Sequence, residues 1–137
     1  MKTISNQKGF TLVEIIAVLV ILGILAAVAV PKFIDLQNDA RLKAAESAVS
    51  ETKARLSGAY GKYLLKNGVE PKHVKDICGK DGLNDRKVLP TSGNGDVPMG
   101  DDFKVSLKSG SKDATITVSA VQGEKLSPAV TDTWDKP

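Results

Sequence analysis

Glu14 is a carboxylate at the start of a long apolar run, where it requires a cationic partner. Residues 15–30 contain no charged or strongly polar side chain. A carboxylate about one turn inside a membrane-spanning stretch costs roughly 2.5–3.5 kcal/mol on insertion scales. Such a charge is retained when it pairs with a cation or takes part in function. Gly9 and Phe10 stand just before it and follow the basic Lys8.

The element that must hold Glu14 is an apolar segment over residues 10–31. Its 22 residues form a helix of ~33 Å at ~1.5 Å per residue, which is enough to cross a bilayer core of about 30 Å. Lys2 and Lys8 precede the segment and no acidic residue does. The positive-inside rule therefore predicts a cytoplasmic N-terminus and an extracytoplasmic remainder.

Two ordinary roles are open to this segment. It could be a secretory signal, because Ala27 and Ala29 flank Val28 as a small-x-small cleavage site. It could also be the permanent anchor of a single-pass membrane protein with a binding head. Both roles leave the cost of Glu14 unexplained.

A third role comes from a family resemblance. The run Lys8-Gly9-Phe10-Thr11-Leu12-Val13-Glu14 closely resembles the prepilin signature of type IV pilins and type II secretion pseudopilins. The resemblance implies that a prepilin peptidase cuts between Gly9 and Phe10 and methylates Phe10. It also implies that Glu14 meets the Phe10 amine of a neighbouring subunit, so that two buried charges neutralise each other on assembly.

The resemblance further implies where the protein resides and what it contacts. The precursor is expected in the inner membrane, where it meets an assembly platform, and the mature chain is expected in an extracellular homopolymeric pilus. A major pseudopilin of a type II secretion system is the alternative. Residues 22–27, 31–36 and 39–41 are most similar to mannose-sensitive haemagglutinin pilins.

Helical periodicity continues beyond the apolar segment. Apolar positions recur at three- and four-residue steps over residues 32–66, and Asn67 and Gly68 supply a stop. One helix is therefore predicted over residues 11–66. Gly23 and Pro31 interrupt it as tolerated kinks, and the family resemblance makes them a hinge that loosens in the filament.

The rest of the sequence predicts a small head, so the fold class is α+β. Residues 67–100 indicate a long loop with a helical turn over 71–78, in which Pro71 takes the first helical position. Alternation predicts strands around residues 103–107 and 115–120, and residues 126–134 suggest an edge strand because Pro128 lacks a donor. The expected domains are a leader at 1–9, a membrane and filament-core helix at 10–31, its amphipathic continuation at 32–66, and the head at 67–137.

Few residues of the head suggest chemistry. A lone Cys78 excludes an intrachain disulfide, which leaves a buried thiol or an intermolecular disulfide. Calcium could be held by oxygen ligands, although the same residues also fit a solvated acidic turn; the candidates are Asn94, Asp96, Asp101 and Asp102. No other cofactor is suggested.

We expect neither catalysis nor a nucleic-acid partner. The single His73 has no nucleophile or carboxylate at motif spacing. The net charge of +3 arises from 19 basic and 16 acidic residues, and the most basic stretch, residues 72–87, is interrupted by aspartates and lacks aromatic residues. Tyr60 and Tyr63 are expected in the core, and Trp134 as a core anchor.

Overall fold

The computed structural model describes residues 9–78, 89–90 and 93–137. The chain divides into two compact units, Met1–Asp39 and Ala40–Pro137. The elements are α1 (Leu12–Asn67), α2 (Val74–Cys78), β1 (Asn94–Val97), β2 (Phe103–Ser109), β3 (Asp113–Val121) and β4 (Glu124–Asp135). Residues 1–8 of the expected leader lie outside the described residues.

The long helix predicted over residues 11–66 is confirmed as α1. It ends where the cap residues stand: Gly68 has a φ of 66° and its N–H donates to the Leu64 carbonyl at 2.8 Å. The Asn67 amide also donates to the Tyr63 carbonyl at 3.1 Å. This is an αL cap, in which glycine adopts the left-handed conformation without strain.

The second unit is an α+β head, as predicted. Its four strands form an antiparallel sheet in the order β1-β2-β3-β4. Buried residues alternate with half-buried or exposed residues along most of β2 and β3. One face of the sheet therefore lies in the core. The α1 side chains that join this core are Ala45, Ala48, Val49, Thr52, Leu56, Ala59 and Tyr60.

Two details of the predicted head are corrected by the structure. The loop expected over residues 67–100 contains strand β1, which pairs Val97 with Val105 of β2. Pro71 lies three residues before α2 begins at Val74, so it does not take the first helical position. The predicted edge strand is confirmed, because β4 is the last strand of the sheet and contains Pro128.

The C-terminus is fastened to the head without a covalent bond. Trp134 is 6% exposed, and its Nε1–H donates to Ser57 Oγ at 2.9 Å. Its ring stands edge-on to Tyr60 at 6.4 Å between centroids, and the Tyr60 hydroxyl donates to the Pro137 carbonyl oxygen at 3.4 Å. Trp134 is therefore a core anchor, as predicted.

Lys136 completes this fastening. Its Nζ donates to the Pro71 carbonyl at 3.0 Å and lies 3.9 Å from a Glu70 carboxylate oxygen, while its backbone N–H donates to the Lys112 carbonyl at 2.8 Å. We call Trp134, Lys136 and Pro137 the C-terminal clasp. The clasp holds the end of β4 by hydrogen bonds and packing, and the single cysteine, Cys78, cannot form an intrachain disulfide.

Candidate functional site

The candidate site is the first turn of α1, directly after Gly9 and Phe10. Neither residue is helical, and the Phe10 side chain is 85% exposed. The helix begins at Leu12. The peptide bond between Gly9 and Phe10 therefore lies in exposed, non-helical chain just before α1.

Thr11 and Glu14 form a capping box at this helix start. The backbone N–H and the hydroxyl of Thr11 each donate to Glu14 Oε2 at 2.8 Å. In return, the Glu14 N–H donates to Thr11 Oγ1 at 3.2 Å. Two donors that the helix leaves without partners are thus satisfied, and the negative charge sits at the positive end of the helix dipole.

Sequence reasoning overlooked Thr11. A threonine followed three residues later by a glutamate, just before an apolar run, is a recognised N-terminal signal of a helix. That pattern was present in the sequence, and it fixes both the helix start and the direction of the Glu14 side chain. Glu14 consequently points its carboxylate towards the end of the helix that carries Phe10.

The apolar part of α1 leaves its side chains uncovered. Every described residue of the first unit is exposed, from Gly9 to Asp39. The large apolar side chains here are between 48% and 85% exposed. Among the described residues, α1 is the one helix that is long and apolar enough to cross a membrane.

Gly23 and Pro31 both lie inside α1. A Cβ added at Gly23 would meet nothing within 4 Å, so no contact with another described residue requires a glycine there. Pro31 has no N–H, so the carbonyl of Ala27 receives no helical hydrogen bond from it. The helix continues through both positions, and the two residues lower its local stability.

The four calcium candidates lie in and around β1 and directly before β2. Asn94 Oδ1 accepts hydrogen bonds from the Ser109 N–H at 2.7 Å and hydroxyl at 3.3 Å. Within the described part of the chain, no three carboxylates, histidines or cysteines come close enough to hold a metal ion, so Asp96, Asp101 and Asp102 form no such group. Calcium binding stays a prediction.

His73 and Cys78, two other candidate residues, lie directly before α2 and at its end. His73 is followed by Asp76, whose carboxylate accepts the His73 N–H at 2.9 Å. Lys80, Arg86 and Lys87, which belong to the basic stretch, lie outside the described residues. Cys78 is 1% exposed, and burial raises its pKa to about 11, as expected for an inert thiol.

Comparisons with known proteins extend these observations. Residues 4–30 match the family model of the prokaryotic N-terminal methylation motif. The chain is 30% identical to a fimbrial protein of Pseudomonas aeruginosa over 126 residues, which are 90% of this chain and 73% of the relative. No solved structure matches it.

Two further relatives match shorter parts of the chain. The chain is 31% identical to the type IV major pilin protein PilE1 of Neisseria gonorrhoeae over 104 residues, or 66% of this chain and 63% of the relative. It is 44% identical to the type II secretion system core protein G of Pseudomonas aeruginosa over 51 residues, or 37% and 36%. The fimbrial protein and the major pilin are structural proteins rather than enzymes.

The resemblance to mannose-sensitive haemagglutinin pilins is not tested by these comparisons and stays a prediction. Membership of the wider family is supported by the similarity to a fimbrial protein, which extends over most of both chains. With the methylation motif at its start and an α+β head behind a long apolar helix, the chain belongs to the type IV pilin family.

Proposed function

We propose that this chain is a structural subunit of an extracellular type IV pilus, used for attachment, surface motility or uptake. The observation that carries the proposal is the first turn of α1. A capping box begins a helix directly after Gly9 and Phe10, and the apolar side chains that follow are all exposed. The fimbrial and pilin relatives support the same function.

The apolar segment, residues 10–31, has two successive environments on this proposal. In the inner-membrane precursor, lipid covers these side chains. In the filament, the same residues of neighbouring subunits cover them, and removal of apolar surface from water is worth about 25 cal/mol per Å². An exchange of lipid for protein is nearly balanced, so an assembly platform can move subunits between the two states.

Processing gives Glu14 its partner. A prepilin peptidase cuts between Gly9 and Phe10, and the new Phe10 amine, which is then methylated, carries a positive charge. Glu14 of one subunit pairs with this ammonium of a neighbour inside the filament. Breaking such a buried pair by removing one partner costs about 3–5 kcal/mol, so the pair selects correctly docked subunits.

Each remaining segment of the chain has its own role in the proposed function. Residues 1–9 are the leader that is discarded, and residues 32–66 continue the helix into the head. Residues 67–137 form the rest of the head, which displays its outer surface to the surroundings. Homopolymerisation thus depends mainly on residues 10–31.

The test is a mass-spectrometric analysis of filaments sheared from cells that express the chain. We expect a mature N-terminus at a methylated Phe10, and any other N-terminus contradicts the proposed processing. Glu14→Gln keeps the size of the side chain but removes its charge, so processed subunits should stay in the membrane and fibres should be lost. Glu46→Gln, at an exposed ion pair of the head, is the matched control and should assemble normally.

A second candidate function is that of a major pseudopilin in a type II secretion system. It is favoured by the 44% identity to core protein G over 51 residues. Deletion of the gene separates the two functions: loss of surface fibres with intact protein secretion supports the pilus, whereas the reverse supports the pseudopilus. A chain found only in membranes would instead indicate a single-pass protein with a binding head.

We also propose that Gly23 and Pro31 bound a hinge. The helix loosens between them when the subunit leaves the bilayer, because glycine costs about 1 kcal/mol relative to alanine and proline removes a hydrogen bond. Pro31→Ala should therefore increase helical order between residues 23 and 31 in images of assembled filaments. Equal order in parent and variant would contradict the hinge.

A further inference from the structure

A shallow groove of about 430 Å³ lies where β2 begins and β3 turns into β4. One row of the sheet crosses it, because Lys104 pairs with Ala120 and Ala120 pairs with Lys125. Paired residues of antiparallel strands share a face of the sheet, so both lysines stand on the same side with Ala120 between them. The lining residues are Asp101, Asp102, Lys104, Ser119, Ala120, Gly123, Lys125 and Leu126.

Charged side chains of both signs line the groove. Lys104 and Lys125 are exposed and are two strand spacings apart, or ~10 Å between backbones. Asp101 and Asp102 also line the groove, directly before β2 begins. None of these four side chains makes an ion pair with another described residue, so each is available to a ligand.

The backbone around the groove is held in place. The Arg55 side chain donates to the Pro98 carbonyl at 2.9 Å, which fixes the turn before Asp101 to α1. At the other side, the Gln122 N–H donates to the Asp102 carbonyl at 2.6 Å. A site with a fixed backbone loses little entropy when a ligand binds.

The two lysines and two aspartates together restrict the chemical class of ligand that the groove can bind. A phosphate group, which carries negative charge on all its free oxygens, would be repelled by Asp101 and Asp102, and a divalent cation would be repelled by the two lysines. A ligand that carries one carboxylate and several neighbouring hydroxyls satisfies both sets, because lysines donate to carboxylates and aspartates accept from hydroxyls. Ala120 and Leu126 are the apolar residues that line the groove, and Leu126 also packs against the core of the head.

We propose that this groove binds a uronic acid residue of an acidic polysaccharide. The carboxylate lies between Lys104 and Lys125, and ring hydroxyls donate to Asp101 and Asp102. The groove is open rather than enclosed, which suits one residue within a longer chain. A single subunit binds weakly, and a filament that presents many copies would bind the same polymer with higher avidity.

Binding by one subunit does not require assembly, so it can be measured separately from the proposed pilus function. Isotope-labelled full-length chain in detergent micelles is titrated with a galacturonate trimer and followed by heteronuclear NMR. We expect shifts confined to the amides around Ala120, Gly123 and Leu126. The uncharged galactose trimer should bind roughly tenfold more weakly or not at all.

Matched variants connect those shifts to the charges. Lys104→Gln and Lys125→Gln should each raise the Kd for the galacturonate trimer roughly tenfold, whereas Lys62→Gln, on an exposed part of α1, should leave it unchanged. Asp102→Asn should weaken binding, and Asp135→Asn should not. Unchanged spectra elsewhere in the head establish that each variant is folded.

Three results would overturn the proposal. Absence of shifts at millimolar trimer shows that the groove holds no uronic acid. Equal effects of Lys62→Gln and Lys125→Gln indicate attraction of polyanions to the whole surface. Shifts at the groove with calcium or with free alanine, but none with the trimer, assign it to a cation or a zwitterion instead.

Discussion

Replacing Trp134 by phenylalanine removes one hydrogen bond of the C-terminal clasp while keeping an aromatic ring in the core. The indole Nε1–H donates to Ser57 Oγ at 2.9 Å, across 77 residues of sequence. Ser57→Ala removes the same bond from the other side. The two single variants and the double variant therefore form a thermodynamic cycle around one contact.

The expected free energies differ for the two positions. Trp134→Phe loses the hydrogen bond, worth about 1 kcal/mol, and leaves a cavity at a site that is 6% exposed, worth a further 1–2 kcal/mol approximately. Ser57→Ala loses the same bond but gains up to about 0.5 kcal/mol of helix propensity, since it lies within α1. That gain appears in both halves of the cycle, so it cancels in the coupling energy, which should be about 1 kcal/mol.

Calorimetry of the full chain in detergent micelles measures these changes. For a domain of 60–100 residues, each 1 kcal/mol lowers the Tm by about 4–8 °C. Trp134→Phe should therefore lower the Tm of the head by roughly 10 °C or more. Ser47→Ala, at an exposed position on the same helix, controls for helix propensity, and a reducing agent should change nothing.

A coupling energy below about 0.3 kcal/mol would refute this reasoning. It would mean that water satisfies the indole N–H in the variant as well as Ser57 does in the parent. Trp134 would then hold the C-terminus by packing alone. The clasp would have to be reassigned to the remaining contacts of Lys136 and Pro137.

Three further outcomes can be checked on the same preparation. The pKa of Asp132 is lowered from its ordinary value of 3.8 by the hydrogen bonds from Lys53 and from the Thr133 N–H. The contribution of Asp132 to stability is therefore present above about pH 4 and is lost as the pH falls through the lowered pKa. Asp132→Asn should flatten the fall in Tm below about pH 4, and an unchanged dependence of Tm on pH would contradict this. Burial raises the pKa of Cys78 to about 11, so alkylation of this thiol at about pH 8 should be slow in the folded chain and fast after unfolding. Alkylation of the folded chain at the rate of a free thiol would show that Cys78 is accessible. A disulfide-linked dimer on non-reducing gels would show the same. If Asn94, Asp96, Asp101 and Asp102 bind calcium, the Tm should rise with calcium and fall with a chelator, and no change in either direction excludes the site.

The helix and three of the four strands follow from local sequence. Apolar spacing of three and four residues extends to Leu64, and the Asn67-Gly68 pair then ends the helix in its αL cap. Strict alternation predicts β2 and β3, because a half-buried sheet has a period of two. The capping box of Thr11 and Glu14 at the first turn could also be read from the sequence, and the prepilin-like motif singled out Gly9 and Phe10 just before that turn.

Strand β1 and the clasp could not be predicted in the same way. Asn94, Gly95 and Asp96 belong to the residue types that strands disfavour, so β1 exists because β2 offers it a ladder of hydrogen bonds. The clasp joins Trp134 to Ser57 and Lys136 to Pro71, which are distant in sequence. Local sequence patterns cannot predict such contacts, because the contacts depend on how the sheet packs on the helix.

The geometry at Glu14 limits how subunits can meet in the proposed filament. Thr11 satisfies one carboxylate oxygen with two neutral donors, which lowers the cost of burying the group but leaves its charge uncompensated. The same hydrogen bonds hold the carboxylate at the N-terminal end of α1 rather than along its side. A neighbouring Phe10 ammonium therefore has to arrive at this end of the helix, and that requirement fixes the axial position of each subunit relative to the next.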